Sequence, residues 1–153
     1  MGTGGLRLFG IAIALAIAFP LCAQDSKAAT AVIVNSGSTN TAGFRIVVER
    51  SGDAEFTPAP RRSGPDSGAK AEPKHTKVPD TLVHGLYSDL DAAKPLSSLP
   101  RPRCMKSASF GTRLTIELGS DATPDLSCGD GGDAKLKALI RDARQVVELF
   151  DVR

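Results

Sequence analysis

Thr112-Arg-Leu-Thr-Ile-Glu-Leu118 alternates apolar and polar residues, whereas Asp133-Ala-Lys-Leu-Lys-Ala-Leu-Ile-Arg-Asp-Ala-Arg-Gln-Val-Val-Glu-Leu-Phe150 repeats its apolar residues every three or four positions. The first has the period of a half-buried strand, with Leu114, Ile116 and Leu118 on one face. The second has the period of a helix that lays Leu136, Leu139, Ile140, Ala143, Val147 and Phe150 against a core, and Asp133 is a good N-cap for it. A strand with one wet face and a helix with one dry face predict an α+β layer.

The same reading extends outward. Ala31–Val34 and Phe44–Arg50 are β-branched strands joined by the turn-rich Asn35-Ser-Gly-Ser-Thr-Asn-Thr41, and Ser51-Gly-Asp53 turns the chain into Ala54–Thr57. Pro79 opens a helix with Asp80 in its first turn, and Leu82, Val83, Leu86, Tyr87 and Leu90 make its apolar face until Lys94-Pro95 ends it. Gly119-Ser-Asp121 turns the alternating strand back through Ala122 to Leu126. From Pro58 to Lys77 the composition is Pro, Gly, Ser, Ala and charge, which buries too little to offset its ordering entropy, so a disordered insert is expected at 58–77. The predicted architecture is an antiparallel sheet of four to five strands with two amphipathic helices on one face, in the order strand-strand-helix-strand-strand-helix.

The N-terminus gives an address. Arg7 precedes the apolar run Leu8–Phe19, and Pro20-Leu-Cys-Ala23 closes it before the chain turns polar at Gln24. These are the three regions of a secretory signal peptide, and the run is shorter than the ~20 residues a spanning helix needs. A signal peptide over 1–23 and one extracytoplasmic domain over 24–153 are expected, secreted or periplasmic, with no membrane span in the mature chain. Cys22 leaves with the leader, so Cys104 and Cys128 remain. Two cysteines in an exported domain point to an internal disulfide; an intermolecular bridge or a redox thiol are the competing readings, and no C-x-x-C is present. Closing that loop stabilises a fold by about 3.5 kcal/mol in the chain-entropy model.

Lys and Arg number 19 against 17 Asp and Glu in the full chain, and Arg7 leaves with the leader. So balanced a charge argues against nucleic acid as partner. The absence of Trp and the single Tyr argue against an aromatic platform for sugars or single strands. The Asn35–Thr41 stretch resembles the phosphate-binding hairpin of acetate-kinase-type actin-like ATPases, but over about ten residues only. That fold needs a far longer chain, so turn chemistry explains the stretch. Ser67-Gly-Ala-Lys70 matches S-x-x-K without the strand, helix or K-T-G context that motif requires. His75 and His84 have no marked catalytic partner. Asp125, Asp130 and Asp133 miss the calcium-loop spacing, so no metal or cofactor is expected.

The charges are unevenly placed. Lys94, Arg101, Arg103, Lys106 and Arg113 fall together with no acid among them, and Glu117, Asp121, Asp125, Asp130 and Asp133 follow with no base among them. Either the basic run is a recognition surface for an anionic envelope component or a protein, or the two runs screen each other from neighbouring strands. Arg101, Arg103, Lys106, Ser107 and Ser109 are the candidate surface residues.

Asn35-Ser-Gly-Ser-Thr-Asn-Thr41, Cys104-Met-Lys-Ser-Ala-Ser-Phe-Gly-Thr112 and Pro124-Asp-Leu-Ser-Cys128, each near a strand and followed by a terminal amphipathic helix, resemble a group of small uncharacterised secreted bacterial proteins. The resemblance implies export and an α+β domain, and brings no activity with it. Two functional classes follow: a non-enzymatic binding or inhibitor-type domain, and, as the alternative, a small hydrolase pairing Lys106 with a Ser107 or Ser109 nucleophile. Adjacent strand residues face opposite ways, which counts against the second.

Overall fold

The computed structural model describes residues 1–2, 29–59, 72–107 and 109–151; the expected signal segment with its cleavage point, and residues 60–71 of the expected insert, lie outside them. The elements are β1 (Ala31–Asn35), β2 (Phe44–Val48), β3 (Asp53–Pro58), β4 (Lys74–Lys77), α1 (Asp80–Ala93), β5 (Leu114–Leu118), β6 (Asp121–Ala122) and α2 (Ala134–Glu148), with short 3-10 turns at Leu96–Ser98 and Leu126–Cys128. All strand pairs are antiparallel in the order β4-β3-β2-β1-β5-β6. The first strand of the chain is therefore central, flanked by β2 and β5.

The α+β class holds, and three details of the expectation are corrected. Among the described residues the sheet has six strands, roughly the four to five expected, but four of them, not two, precede α1. Lys74–Lys77, assigned to the disordered insert, is β4, paired with β3 through Asp53↔Lys77 to Phe56↔Lys74. Its sequence, Lys-His-Thr-Lys, carries no apolar alternation because it is an edge strand, where lysines guard unpaired backbone. The return strand expected over Ala122–Leu126 stops at Ala122. Thr123 then bonds Ile116 twice, its amide donating to the Ile116 carbonyl at 2.9 Å and its Oγ1 accepting the Ile116 amide at 2.9 Å. Pro124 follows with no amide to donate, and the chain winds into the Leu126–Cys128 turn.

One face of the sheet is dry. Ala31, Ile33, Phe44, Ile46, Val48, Ala54, Phe56, Ile116 and Leu118 alternate inward and meet Leu86, Tyr87 and Leu90 of α1 and Leu136, Leu139, Ala143 and Val146 of α2. Burying each large apolar side chain contributes about 1.5–3 kcal/mol. Asp133 caps α2, accepting the Leu136 amide at 2.9 Å. Tyr87 fastens α1 to the sheet: its hydroxyl donates to the Val48 carbonyl at 2.6 Å and accepts the Ala31 amide at 3.0 Å. Arg50 lies over its ring, 4.1 Å from the centroid, a cation–π contact.

Asp142 breaks the apolar pattern of α2. It is 1% exposed; Oδ1 accepts from Arg141 Nε at 2.8 Å, and Arg141 also reaches Asp89 of α1 at 2.9 Å. Oδ2 has no partner. Burial pushes the Asp142 carboxyl above its ordinary pKa, against the pull of Arg141, and nearby Asp89 adds to the rise.

Candidate functional site

The basic run lies in the irregular segment between α1 and β5. Pro95 cannot continue α1, and after the 3-10 turn Leu96 and Leu99 plug into the core. Asp121 at the sheet edge receives the Leu96 and Ser97 amides at 2.6 and 2.9 Å, which sets where the segment leaves. Cys104 is joined to Cys128 (S–S 2.07 Å), tying the middle of the segment to the turn after β6. Two residues on, the Lys106 ammonium bonds the Asp125 carboxylate, the Ser127 hydroxyl and the Thr112 carbonyl. Three acceptors match the three donors of an ammonium.

Asp125 is the hub of that clasp. Its Oδ1 accepts the amides of Leu114 and Ser127, both at 3.1 Å, while Oδ2 faces Lys106. Burial acts to raise its pKa, but the bonds from Lys106, Ser127 and Leu114 outweigh it, and the carboxyl stands below the ordinary value. Disulfide and clasp together hold an otherwise unstructured stretch in one shape.

Between this segment and the β6 edge lies an open groove of about 860 Å³. Arg101, Arg103, Lys106 and Arg113 line it against Asp121 and Asp125, a net charge of +2. Lys106 is spent on the clasp. Arg101, Arg103 and Arg113 are exposed and make no ion pair among the described residues. The five acids are engaged elsewhere: Glu117 with Arg45 at 3.4 Å, Asp121 with amides, Asp125 with Lys106, Asp130 with the Gly132 amide, and Asp133 as a helix cap. Among the described residues the two runs make one ion pair with each other, Lys106–Asp125. The runs do not lie on neighbouring strands, because most of the basic one is not strand.

Ser107 and Ser109 are not in the groove. The Ser107 hydroxyl accepts the Ser109 amide at 3.2 Å, and the Ser109 carbonyl accepts the Ser38 hydroxyl at 2.8 Å and the Asn40 amide at 3.1 Å, which staples the β1–β2 loop. The structure brings Lys106 to Ser127 instead. Lys106 Nζ is directed at a carboxylate, a carbonyl and a hydroxyl, and the Ser127 hydroxyl lies within donating distance of the Thr112 carbonyl and Asp125 Oδ1. Ser127 was not among the sequence candidates, and Asp125 was read only as one of the acidic run and of an off-spacing calcium loop, although both stand in the quoted Pro124–Cys128 stretch; an acid three residues before a bridged cysteine was the available signal.

Met105 and Phe110 project from the same segment, 101% and 67% exposed. His84 is exposed on α1, and His75 is exposed on β4. No group of three or more His, Cys, Asp or Glu side chains placed to hold a metal occurs among the described residues, nor does any of their helices have the length and apolarity to cross a membrane. Comparison with known proteins yields no matching family model and no similar curated sequence.

Proposed function

We propose that this chain is a non-enzymatic exported domain that binds an anionic polymer of the cell envelope along the groove of Arg101, Arg103 and Arg113. One observation carries the reading: three arginines make no ion pair among the described residues, on a stretch that a disulfide and a lysine clasp hold in shape. Constraint of this kind lowers the ordering cost of binding. The leader-like Arg7 and Leu8–Phe19 and the cysteine pair support a secreted or periplasmic setting.

The test uses the oxidised mature chain with two soluble probes, poly(glycerol phosphate) and polygalacturonate, which separate phosphate from carboxylate recognition. Binding should weaken steeply with salt, since exposed charges are screened over ~8–10 Å at ordinary ionic strength. Arg101→Ala with Arg103→Ala should reduce it at least tenfold without moving the thermal midpoint. Failure of the unaltered chain to bind either polymer at low salt removes the reading.

Met105 and Phe110 favour a second reading, an acidic protein surface as partner, because exposed Met, aromatic and Arg side chains together are what interface centres select. Met105→Ser with Phe110→Ser should then abolish capture of the partner from an envelope extract, and should leave polymer binding intact if the first reading holds.

A further inference from the structure

A second cavity lies at the opposite end of β1 from Tyr87, under the Asn35–Gly43 loop. The loop is rigidly built: Asn35 Oδ1 accepts the Gly37 amide at 2.9 Å, Ser38 Oγ accepts the Thr41 amide at 3.1 Å, and Ser38, 5% exposed, donates to the Ser109 carbonyl. The chain passes so close to itself that a Cβ at Gly43 would stand 2.6 Å from the Asn35 carbonyl oxygen. This wall faces the last turns of α2 across a cavity of about 530 Å³, a volume within the range of small-molecule sites.

The floor of the cavity is apolar, from Phe44, Phe56, Leu114 and Val147, with the two phenyl rings 5.5 Å apart. Its polar lining residues are Asn35, Asn40, Thr41, Arg144 and Glu148. Ala42, exposed, and Gly43, buried, are among its lining residues, and their amides make no hydrogen bond among the described residues. A buried amide left unpaired is costly, so it marks a place where an acceptor belongs. Arg144 of α2 borders the same space with no ion pair, and the Asn40 carboxamide makes no bond among the described residues. Glu148 is the one carboxylate at the rim.

We infer that this cavity is a binding site for a small amphiphilic monocarboxylate, its apolar body on Phe44 and Phe56 and its anionic head held by Arg144 and the Ala42 and Gly43 amides. The site is separate from the arginine groove and stands whether or not that groove binds a polymer. Charge-assisted hydrogen bonds from a guanidinium and from amides are the stronger kind, and suit a carboxylate.

The experiment titrates the oxidised mature chain with decanoate, below its micelle concentration, and with uncharged decanol, reading backbone amide NMR shifts. Decanoate should bind saturably, at least tenfold tighter than decanol, with the Ala42 and Gly43 amides among the largest shifts. Arg144→Ala, an exposed change, should weaken decanoate about tenfold and leave decanol unchanged. Glu148→Gln should tighten decanoate severalfold by removing the one like charge. The inference is overturned if decanoate binds no better than decanol, if the shifts gather at Arg101, Arg103 and Arg113, or if Glu148→Gln weakens binding while Arg144→Ala has no effect, which would mark a cationic ligand.

Discussion

The Tyr87 hydroxyl stands 2.6 Å from the Val48 carbonyl oxygen, joining the middle of α1 to the last residue of β2 in the interior. The same oxygen accepts the Ala31 amide, so one phenol satisfies two buried backbone groups where the β1–β2 ladder ends. Tyr87→Phe keeps the ring and strands both groups. It should lower unfolding free energy by about 1–3 kcal/mol in urea titration, while Tyr87 itself stays protonated, since burial raises its pKa.

Asp125 gives the acid limb of stability a named origin. Its folded-state pKa is depressed below the ordinary 3.8, so its contribution is fully present above that value and is lost as pH falls through the lower, folded value. Asp125→Asn should cost about 1.5–3 kcal/mol at neutral pH, the range for hydrogen bonds to charged groups. The difference from the unaltered chain should shrink progressively below about pH 4; a difference independent of pH would mean the charge is not what holds Lys106.

Asp142 has the opposite sign. Its folded-state pKa is raised above 3.8, chiefly by burial, so the stability it confers is present below that value and is lost as pH rises through the folded value. Asp142→Asn removes the titration. Its stability relative to the unaltered chain should therefore rise with pH from about 4 upward, read as the gap between two urea midpoints measured across pH.

Two glycines of similar appearance in sequence should respond oppositely to alanine. Gly85 lies inside α1, and a Cβ there meets nothing within 4 Å, so Gly85→Ala should stabilise by about 0.5–1 kcal/mol through helix propensity. A Cβ at Gly43 collides with backbone at 2.6 Å and 2.9 Å, and Gly43→Ala should destabilise by more than that gain and reshape the decanoate cavity. Thermal denaturation of the two variants side by side decides it.

The elements with a dry face were legible because the core writes a period into the sequence: Leu114, Ile116 and Leu118 at two, and Leu136, Leu139, Ile140 and Ala143 near 3.6. Lys74–Lys77 was not, because an edge strand is held by backbone bonds to β3, which leave no trace in side-chain pattern. The basic run was visible as composition, but its division into two occupied lysines, Lys94 on Asp91 and Lys106 on Asp125, and three arginines with no ion pair among the described residues depends on where the acids land, which spacing does not encode. The β1–β2 loop read as ordinary turn chemistry; its role as the wall of a cavity arises only when α2 folds back over it.

The central place of β1 has a consequence for a chain that crosses a membrane before folding. Ala31–Asn35 precedes every other described element, and it can pair at once with nearby β2. Its other edge waits for Leu114–Leu118, since Ala31 is registered against Leu118 near the far end of the chain. Contacts so distant in sequence form slowly because loop-closure entropy must be lost first. Until β5 arrives, the middle of the sheet keeps an open, β-branched edge, Ala-Val-Ile-Val, the kind of edge that recruits other chains. On the exported reading proposed above, the sheet could not close until Leu114–Leu118 had crossed, and the interval before that would be when the chain is most exposed to aggregation or to capture by a chaperone.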